Sequence, residues 1–477
     1  MKRASGVLMH ISSLWGEYSI GSMGKNAKNW IDIIKEAGFS YWQVLPFCLP
    51  DEYNSPYKSF SAFSLNPYFI DLELLYEDNI ITKDDLENAK QMTPYLCEFD
   101  RLKEERFLLL KKASTEFKNW DKVDEFLKSH PHTDNFCKFM ALKKSNNNEI
   151  WNNWTVDIPD ENEYKAWQFT QYTFYSQWMN IKKYANEKGV KIIGDIPIYV
   201  APDSSDVWSN QAQFLLDKKG FPRSVAGVPP DYFSSDGQLW GNPLYNWREM
   251  KKDNFLWWRQ RMEFMTELFD GVRIDHFRAL ESFFSIPANE VTARNGKWVK
   301  GPGMSFTNAI KPLCKDKLII AEDLGDITPQ VNALVEKSSF PGMGVLQFAF
   351  LGDENSPHLP HNYKNNLVAY TGTHDNNTLL GYVWELPEDT RKRLLDYCNF
   401  TGDNWDNSYD SILKTMLKSH AGLVIFPVQD VLLYGSDTRL NKPGCAENNW
   451  AFRVLEEQIT AVDRNKFLYW NKLYGRI

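Results

Sequence analysis

Eight short apolar runs, spread over the whole length and separated mostly by helical segments, restrict what this chain can fold into more than any other feature. They are 6–12, 41–47, 190–198, 270–276, 318–324, 344–350, 366–375 and 421–432. Short runs that stay apolar instead of alternating read as strands buried on both faces, the pattern of a parallel sheet covered by helices. The segment 162–188 shows what lies between them. There Trp167, Phe174, Trp178 and Ile181 form an apolar stripe at helical spacing, and Gly189 supplies a C-terminal cap. Strand–helix alternation favours parallel pairing, and eight strands is the number that closes on itself. The predicted fold is α/β, a (β/α)8 TIM barrel.

Two intervals exceed what a single helix needs. Residues 74–150, rich in Lys, Glu, Asp and Leu and helical in stretches such as Arg101 to Lys112, read as a mostly helical insertion after the second strand. Residues 199–248 are dense in Pro, Gly, Ser and aromatics, and read as an active-site loop region at the C-terminal face, where long loops shape a barrel's cleft. The whole of 1–477 is expected to be one catalytic unit, with its barrel core in 1–73 and 151–477.

Composition narrows the partners. A formal charge of −8 with no Lys/Arg-rich stretch argues against nucleic acid. No run approaches the roughly 18 apolar residues that span a bilayer, and the start, Met-Lys-Arg-Ala-Ser-Gly-Val-Leu-Met-His, is too briefly apolar for a signal peptide. Six scattered cysteines without a close pair read as free thiols. A soluble, cytoplasmic protein is expected. His130-Pro131-His132 sits in the insertion and reads as a solvated turn; no metal and no other cofactor is expected.

Chemistry concentrates at the downstream ends of three runs, at Asp275, Glu322 and Asp375, the rim where barrel enzymes keep their reactive groups. Arg273 and Asp275 are two apart in a strand, so they share a face about 6.6 Å apart, and a guanidinium that close favours the ionised carboxylate a nucleophile needs. Glu322 follows one strand later, in reach of a paired role as proton donor; strands roughly 4.8 Å apart suit the 5–5.5 Å carboxyl separation of retaining glycosidases. Asp323 is expected to turn away toward the helices or to cap the next one. Asp375, across the mouth, is placed to bind sugar hydroxyls and to raise the proton affinity of Glu322 by repulsion, with His374 beside it as a further donor.

These residues stand in longer motifs. They include Ser55-Pro-Tyr57, Asn66-Pro-Tyr, Gly194-Asp195-Ile-Pro-Ile-Tyr-Val, Val225-Ala-Gly-Val-Pro-Pro-Asp-Tyr-Phe and Gly237-Gln-Leu-Trp240-Gly-Asn-Pro. Further on come Val272-Arg-Ile-Asp275-His-Phe-Arg, Ala321-Glu322-Asp-Leu-Gly, Val345-Leu-Gln-Phe-Ala-Phe and Tyr370-Thr-Gly-Thr-His374-Asp375-Asn. In this order, over nearly the whole length, the chain resembles the amylomaltases, the 4-α-glucanotransferases of glycoside hydrolase family 77.

The resemblance implies a retaining transfer between α-1,4-glucans derived from starch or glycogen, down to short maltooligosaccharides, with Asp275 as nucleophile, Glu322 as general acid/base and Asp375 as transition-state stabiliser. It further implies that Tyr57 stacks beneath the reacting sugar, that Asp195, Arg273 and His374 position sugar and carboxylates, that Ser55 and Trp240 line the cleft, and that 225–243 arches over it. Leu65, Ala279, Phe284 and Asn377 depart from the family's pattern, which bears on subsites and chain-length preference and not on reaction class. A retaining α-glucan hydrolase would carry the same three acids, and a non-catalytic glucan-binding barrel remains the other alternative.

Overall fold

A computed structural model of the chain describes residues 1–50, 53–230, 234–400, 405–445 and 447–477. The strands, in chain order, are β1 (Ala4–Leu8), β2 (Tyr41–Gln43), β3 (Lys191–Ile196), β4 (Ser224–Val228), β5 (Gln238–Pro243), β6 (Gly271–Ile274), β7 (Ser282–Pro287), β8 (Lys297–Lys300), β9 (Leu318–Ala321), β10 (Gly342–Val345), β11 (Leu367–Tyr370) and β12 (Leu423–Pro427). Strands β10-β11-β12-β1-β2-β3-β6-β9 form one eight-stranded sheet, paired in parallel throughout.

Where β9 and β10 meet, the Ala321 N–H donates to the Pro341 carbonyl at 2.9 Å and Asp323 Oδ1 accepts the Met343 N–H at 2.7 Å. Asp323 therefore does not serve as the cap of the next helix, Pro329–Ser338, a place that Thr328 takes. Asp323 bridges the seam of the barrel, and the approach requires a glycine at 342, since a Cβ there would lie 2.3 Å from its carboxylate.

Each expected run overlaps one barrel strand; six contain theirs, whereas β1 and β10 each begin two residues before the run, and the strands are shorter than the runs. Val44, Leu45 and Phe47 stay buried beyond the end of β2, and Leu346–Ala349, inside the sixth run, is a turn of helix. The run 366–375 is a strand only to Tyr370, so Asp375 stands on the loop beyond it. Apolar composition marks burial, and burial continues into the covered loops at the strand ends.

The helix Glu161–Glu187 realises the expected stripe. Asp160 caps it by accepting the Glu163 N–H at 2.7 Å, Trp167, Phe174, Trp178 and Ile181 are all buried, and Gly189 follows its end with φ of +74°. Between β2 and β3 the chain forms helices Leu72–Glu77, Lys83–Asn88, Phe107–Glu116, Trp120–Ser129 and Pro131–Ser145, with a π turn at Leu102–Arg106. Phe136, Phe139 and Leu110 there join the same apolar core as the barrel. The His130–His132 turn is not solvated as expected: His130 contacts Glu267 at 3.1 Å, and His132 contacts Gln260 at 3.0 Å and stacks on Phe63. Both partners lie on the barrel helix Leu256–Leu268, so the imidazoles dock the inserted helices onto the barrel.

A second sheet, antiparallel in the order β5-β4-β7-β8, has no counterpart in the sequence reading. It converts part of the 199–248 segment into strands and carries Phe284 away from the cleft, into a small core with Val225, Ile286 and Ala293. Asp231, Tyr232 and Phe233, within the segment 225–243 expected to arch over the cleft, lie outside the described residues.

Candidate active site

The C-terminal ends of the barrel strands open into a cleft of about 590 Å³. Ser55, Tyr57, Trp240, Asp275, His374 and Asp375 line it, and Asp195, Arg273 and Glu322 lie one layer beneath. Residues not singled out from sequence also line it: Tyr199, Asn242, His276, Asn441, Lys442 and Trp450. Tyr199, Asn242 and His276 lie inside the motifs quoted above without having been picked out of them, whereas Asn441, Lys442 and Trp450 stand in a segment with no such motif.

Register sets the two central acids side by side. Ile274 on β6 pairs with Ala321 on β9, so Asp275 and Glu322 are the next residues on adjacent strands, about 4.8 Å apart in the pairing direction. Arg273 is buried and forks between two carboxylates, with Nη1 on Asp195 Oδ2 at 2.7 Å and Nη2 on Asp275 Oδ1 at 2.6 Å. This is the planar two-pronged geometry that only a guanidinium supplies. The Asp195 side chain is fully buried and its Oδ2 also accepts the Tyr57 hydroxyl at 2.7 Å, while Oδ1 has no hydrogen-bond partner. Burial, the largest influence, raises its proton affinity against the pull of Arg273.

Glu322 is buried. Its Oε2 accepts the His276 N–H at 2.7 Å and its Oε1 the Leu324 N–H at 2.8 Å. Burial first, and then the negative charge of Asp275, push its carboxyl up to about 8 against Arg273 and those two N–H groups. The repelling charge is thus Asp275, and not Asp375 as the sequence reading had it. The N–H that holds Glu322 belongs to a residue in the left-handed region, His276 at φ +51°, a strained conformation for a side chain of this size.

Asp375 is half-exposed in the cleft. Its Oδ1 accepts from Asn441 at 2.6 Å and lies 3.2 Å from His374 Nε2, and its carbonyl accepts from Arg439. His374 in turn stacks on Tyr57, with ring centroids 4.9 Å apart and planes 14° from parallel, and Trp450 stands 5.8 Å from both rings. One face of Tyr57 is therefore spent on His374. Among the described residues no group of three or more His, Cys, Asp or Glu could hold a metal ion.

A family model described as 4-alpha-glucanotransferase, Glyco_hydro_77, matches residues 9–458. The chain belongs to glycoside hydrolase family 77. It is 43% identical to a 4-alpha-glucanotransferase of Clostridium butyricum, covering 98% of this chain and 100% of that one, and 40% identical to one of Synechocystis sp. over 100% and 98%. Among solved structures it resembles an amylomaltase from Streptococcus agalactiae in complex with acarbose, with a TM-score of 0.95 and 36% identity over the full length of both chains. The amylomaltase of Corynebacterium glutamicum shares the fold, with a TM-score of 0.81 at 18% identity over 100% of this chain and 75% of that one. Membership in this family makes the chain an enzyme of the glucan-transferring class. No helix among the described residues is long and apolar enough to cross a membrane.

Proposed function

We propose that the chain transfers segments of α-1,4-glucan onto the 4-hydroxyl of another glucan or of glucose, by a retaining double displacement in the cleft above β6 and β9. The observation that carries this reading is the pairing, on adjacent strands, of Asp275, one oxygen of which Arg273 holds, with a buried Glu322 whose carboxyl is pushed up to about 8 by burial and by the charge of Asp275. Glu322 turns from the His276 N–H and gives its proton to the glycosidic oxygen. As the C1–O bond breaks, the free Oδ2 of Asp275 bonds C1 and the reducing-end fragment leaves.

Esterification removes the Asp275 charge that raised Glu322, so the now ionised Glu322 takes the proton of an incoming 4-hydroxyl. That oxygen bonds C1, Asp275 is released, and an α-1,4 bond is restored. Asp375, steadied by Asn441, accepts hydroxyl hydrogen bonds of the distorted sugar, and Tyr57 offers its free face beneath it. The aromatic lining holds the acceptor, and orientation worth effective molarities of about 10⁵ M or more lets it compete with water.

Maltooligosaccharides and starch- or glycogen-derived glucans are the substrates, a choice supported by the acarbose-bound relative. The barrel core of 1–73 and 151–477 carries the cleft, with the helices of 74–150 as its attached subdomain, in one catalytic unit. Free thiols at Cys48, Cys97, Cys137, Cys314, Cys398 and Cys445 support a cytoplasmic setting.

Incubation with maltotriose tests the reaction class. Transfer produces glucose together with maltopentaose and longer chains while total reducing ends stay constant; a rise in reducing ends without longer chains would establish a hydrolase instead. The pH profile tests the acid. The free enzyme needs protonated Glu322 for the first step, so kcat/KM holds below pH 8 and falls about tenfold per unit above it. A kcat/KM that keeps rising through pH 9 would remove Glu322 from that role.

A further inference from the structure

We propose that Asp430 is a positioning residue for Asp375, tying together the two ends of the loop that carries it. Asp375 stands on a stretch without regular structure, between the end of β11 at Tyr370 and the helix Leu379–Glu385. A carboxylate on such a loop needs anchors if it is to meet a reacting sugar within a few tenths of an ångström. Asp430 follows β12, in the helical turn Val428–Val431, and is fully buried beneath that loop.

Its Oδ2 accepts the Thr371 hydroxyl at 2.5 Å and its Oδ1 the Leu379 N–H at 2.7 Å. One side chain thereby closes the nine-residue span from Thr371 to Leu379, with His374 and Asp375 at its crown. Tyr409 holds the clamp from behind by donating to the Asp430 carbonyl at 2.9 Å.

Among the described residues no cation pairs with this carboxylate, and burial pushes it up to about 7. A group buried at such a cost, with both oxygens spent on the two stems of one active-site loop, is placed for the loop and not for the core in general. The other contacts of the loop are single-point: Asn377 Nδ2 donates to Ser436 Oγ at 2.9 Å, and among the described residues none of them joins the two stems. Asn441 and Arg439 touch Asp375 itself from the rim of the cleft, and Gln347 accepts no such task, donating only to the Asn377 carbonyl at 2.7 Å.

The inference rests on the assignment of Asp375 above, and the test separates the two. Thr371→Val removes one hydroxyl from one stem at constant shape. It is expected to lower kcat for maltotriose disproportionation about tenfold, with KM within about twofold, and Thr371→Ser is expected to restore it. Asp430→Ala, which frees both stems, is expected to lose about 10²-fold in kcat. Asp430→Asn recovers most of it, because its oxygen still accepts from Leu379 and its amide donates to the Thr371 oxygen.

The decisive arm repeats Thr371→Val in an Asp375→Asn background, with α-maltosyl fluoride as a donor that needs no leaving-group proton. If Thr371 and Asp430 act through Asp375, the second substitution costs nothing further there. An equal loss in both backgrounds, or a Thr371→Val enzyme with unchanged kcat, overturns the proposal. Full activity of Asp375→Asn alone would instead overturn the role of Asp375.

Discussion

Asp275→Asn is expected to yield a folded protein whose transfer between maltooligosaccharides is reduced by on the order of 10⁴–10⁶-fold, and Glu322→Gln one reduced by roughly 10²–10⁴-fold. Asparagine keeps the shape of Asp275 and can still accept from Arg273, whose Nη2 lies 2.6 Å from Oδ1. It cannot form the ester to C1. The Asp275 side chain is 28% exposed at the cleft, so the exchange disturbs no packed core, and the circular dichroism spectrum and unfolding midpoint stay near those of the parent. The smaller loss at Glu322 follows from its task, since a missing proton donor slows departure of the leaving sugar without removing the nucleophile. Normal turnover by either variant would dismantle the mechanism, and a lost unfolding transition would show that the residue had been structural.

Arg273→Ala is expected to be the most destabilising single change in the site, by about 3–5 kcal/mol. The guanidinium is buried and holds two carboxylates, one of them with no exposure at all. Truncation leaves Asp195 buried without its cation, with only the Tyr57 hydroxyl on Oδ2 and with Oδ1 already unpartnered, so it must either bear an uncompensated charge or take up a proton. Such an isolated charge is worse than no pair. Arg273→Lys keeps the charge and recovers part of the stability, yet a single ammonium cannot fork to Asp195 and Asp275 together, so its activity stays low. Urea titration of the three proteins with parallel maltotriose assays checks both points; an alanine variant as stable as the parent would show that Arg273 does not hold the floor of the cleft.

Much of this was readable in advance, for a physical reason. Parallel strands covered by helices are apolar on both faces, so each barrel strand advertises itself as a short continuous run, and the carboxylates that break those runs at Asp275 and Glu322 fall at the barrel mouth. The Arg273–Asp275 contact follows from a period of two in an extended chain. The second sheet was not readable. Lys297–Lys300 and Gln238–Pro243 are polar and short, and β4 finds β7 more than fifty residues later, a pairing that local pattern cannot specify. The bond that Asp323 makes was unreadable for a related reason, since it depends on the spacing that sets Met343 of the following strand beside it.

The sequence by itself determined the number and order of the barrel strands, the long helix of 161–187, the three acids and their neighbours, because all of these are properties of residues close along the chain. Tertiary structure alone decided that Glu322 is raised by Asp275 rather than by Asp375, that Tyr57 lends one face to His374, and that Asn441, Arg439 and Asp430 hold the loop of Asp375. Those outcomes depend on burial and on ångström distances between residues far apart in the chain, and such distances exist only after the sheet has closed on itself.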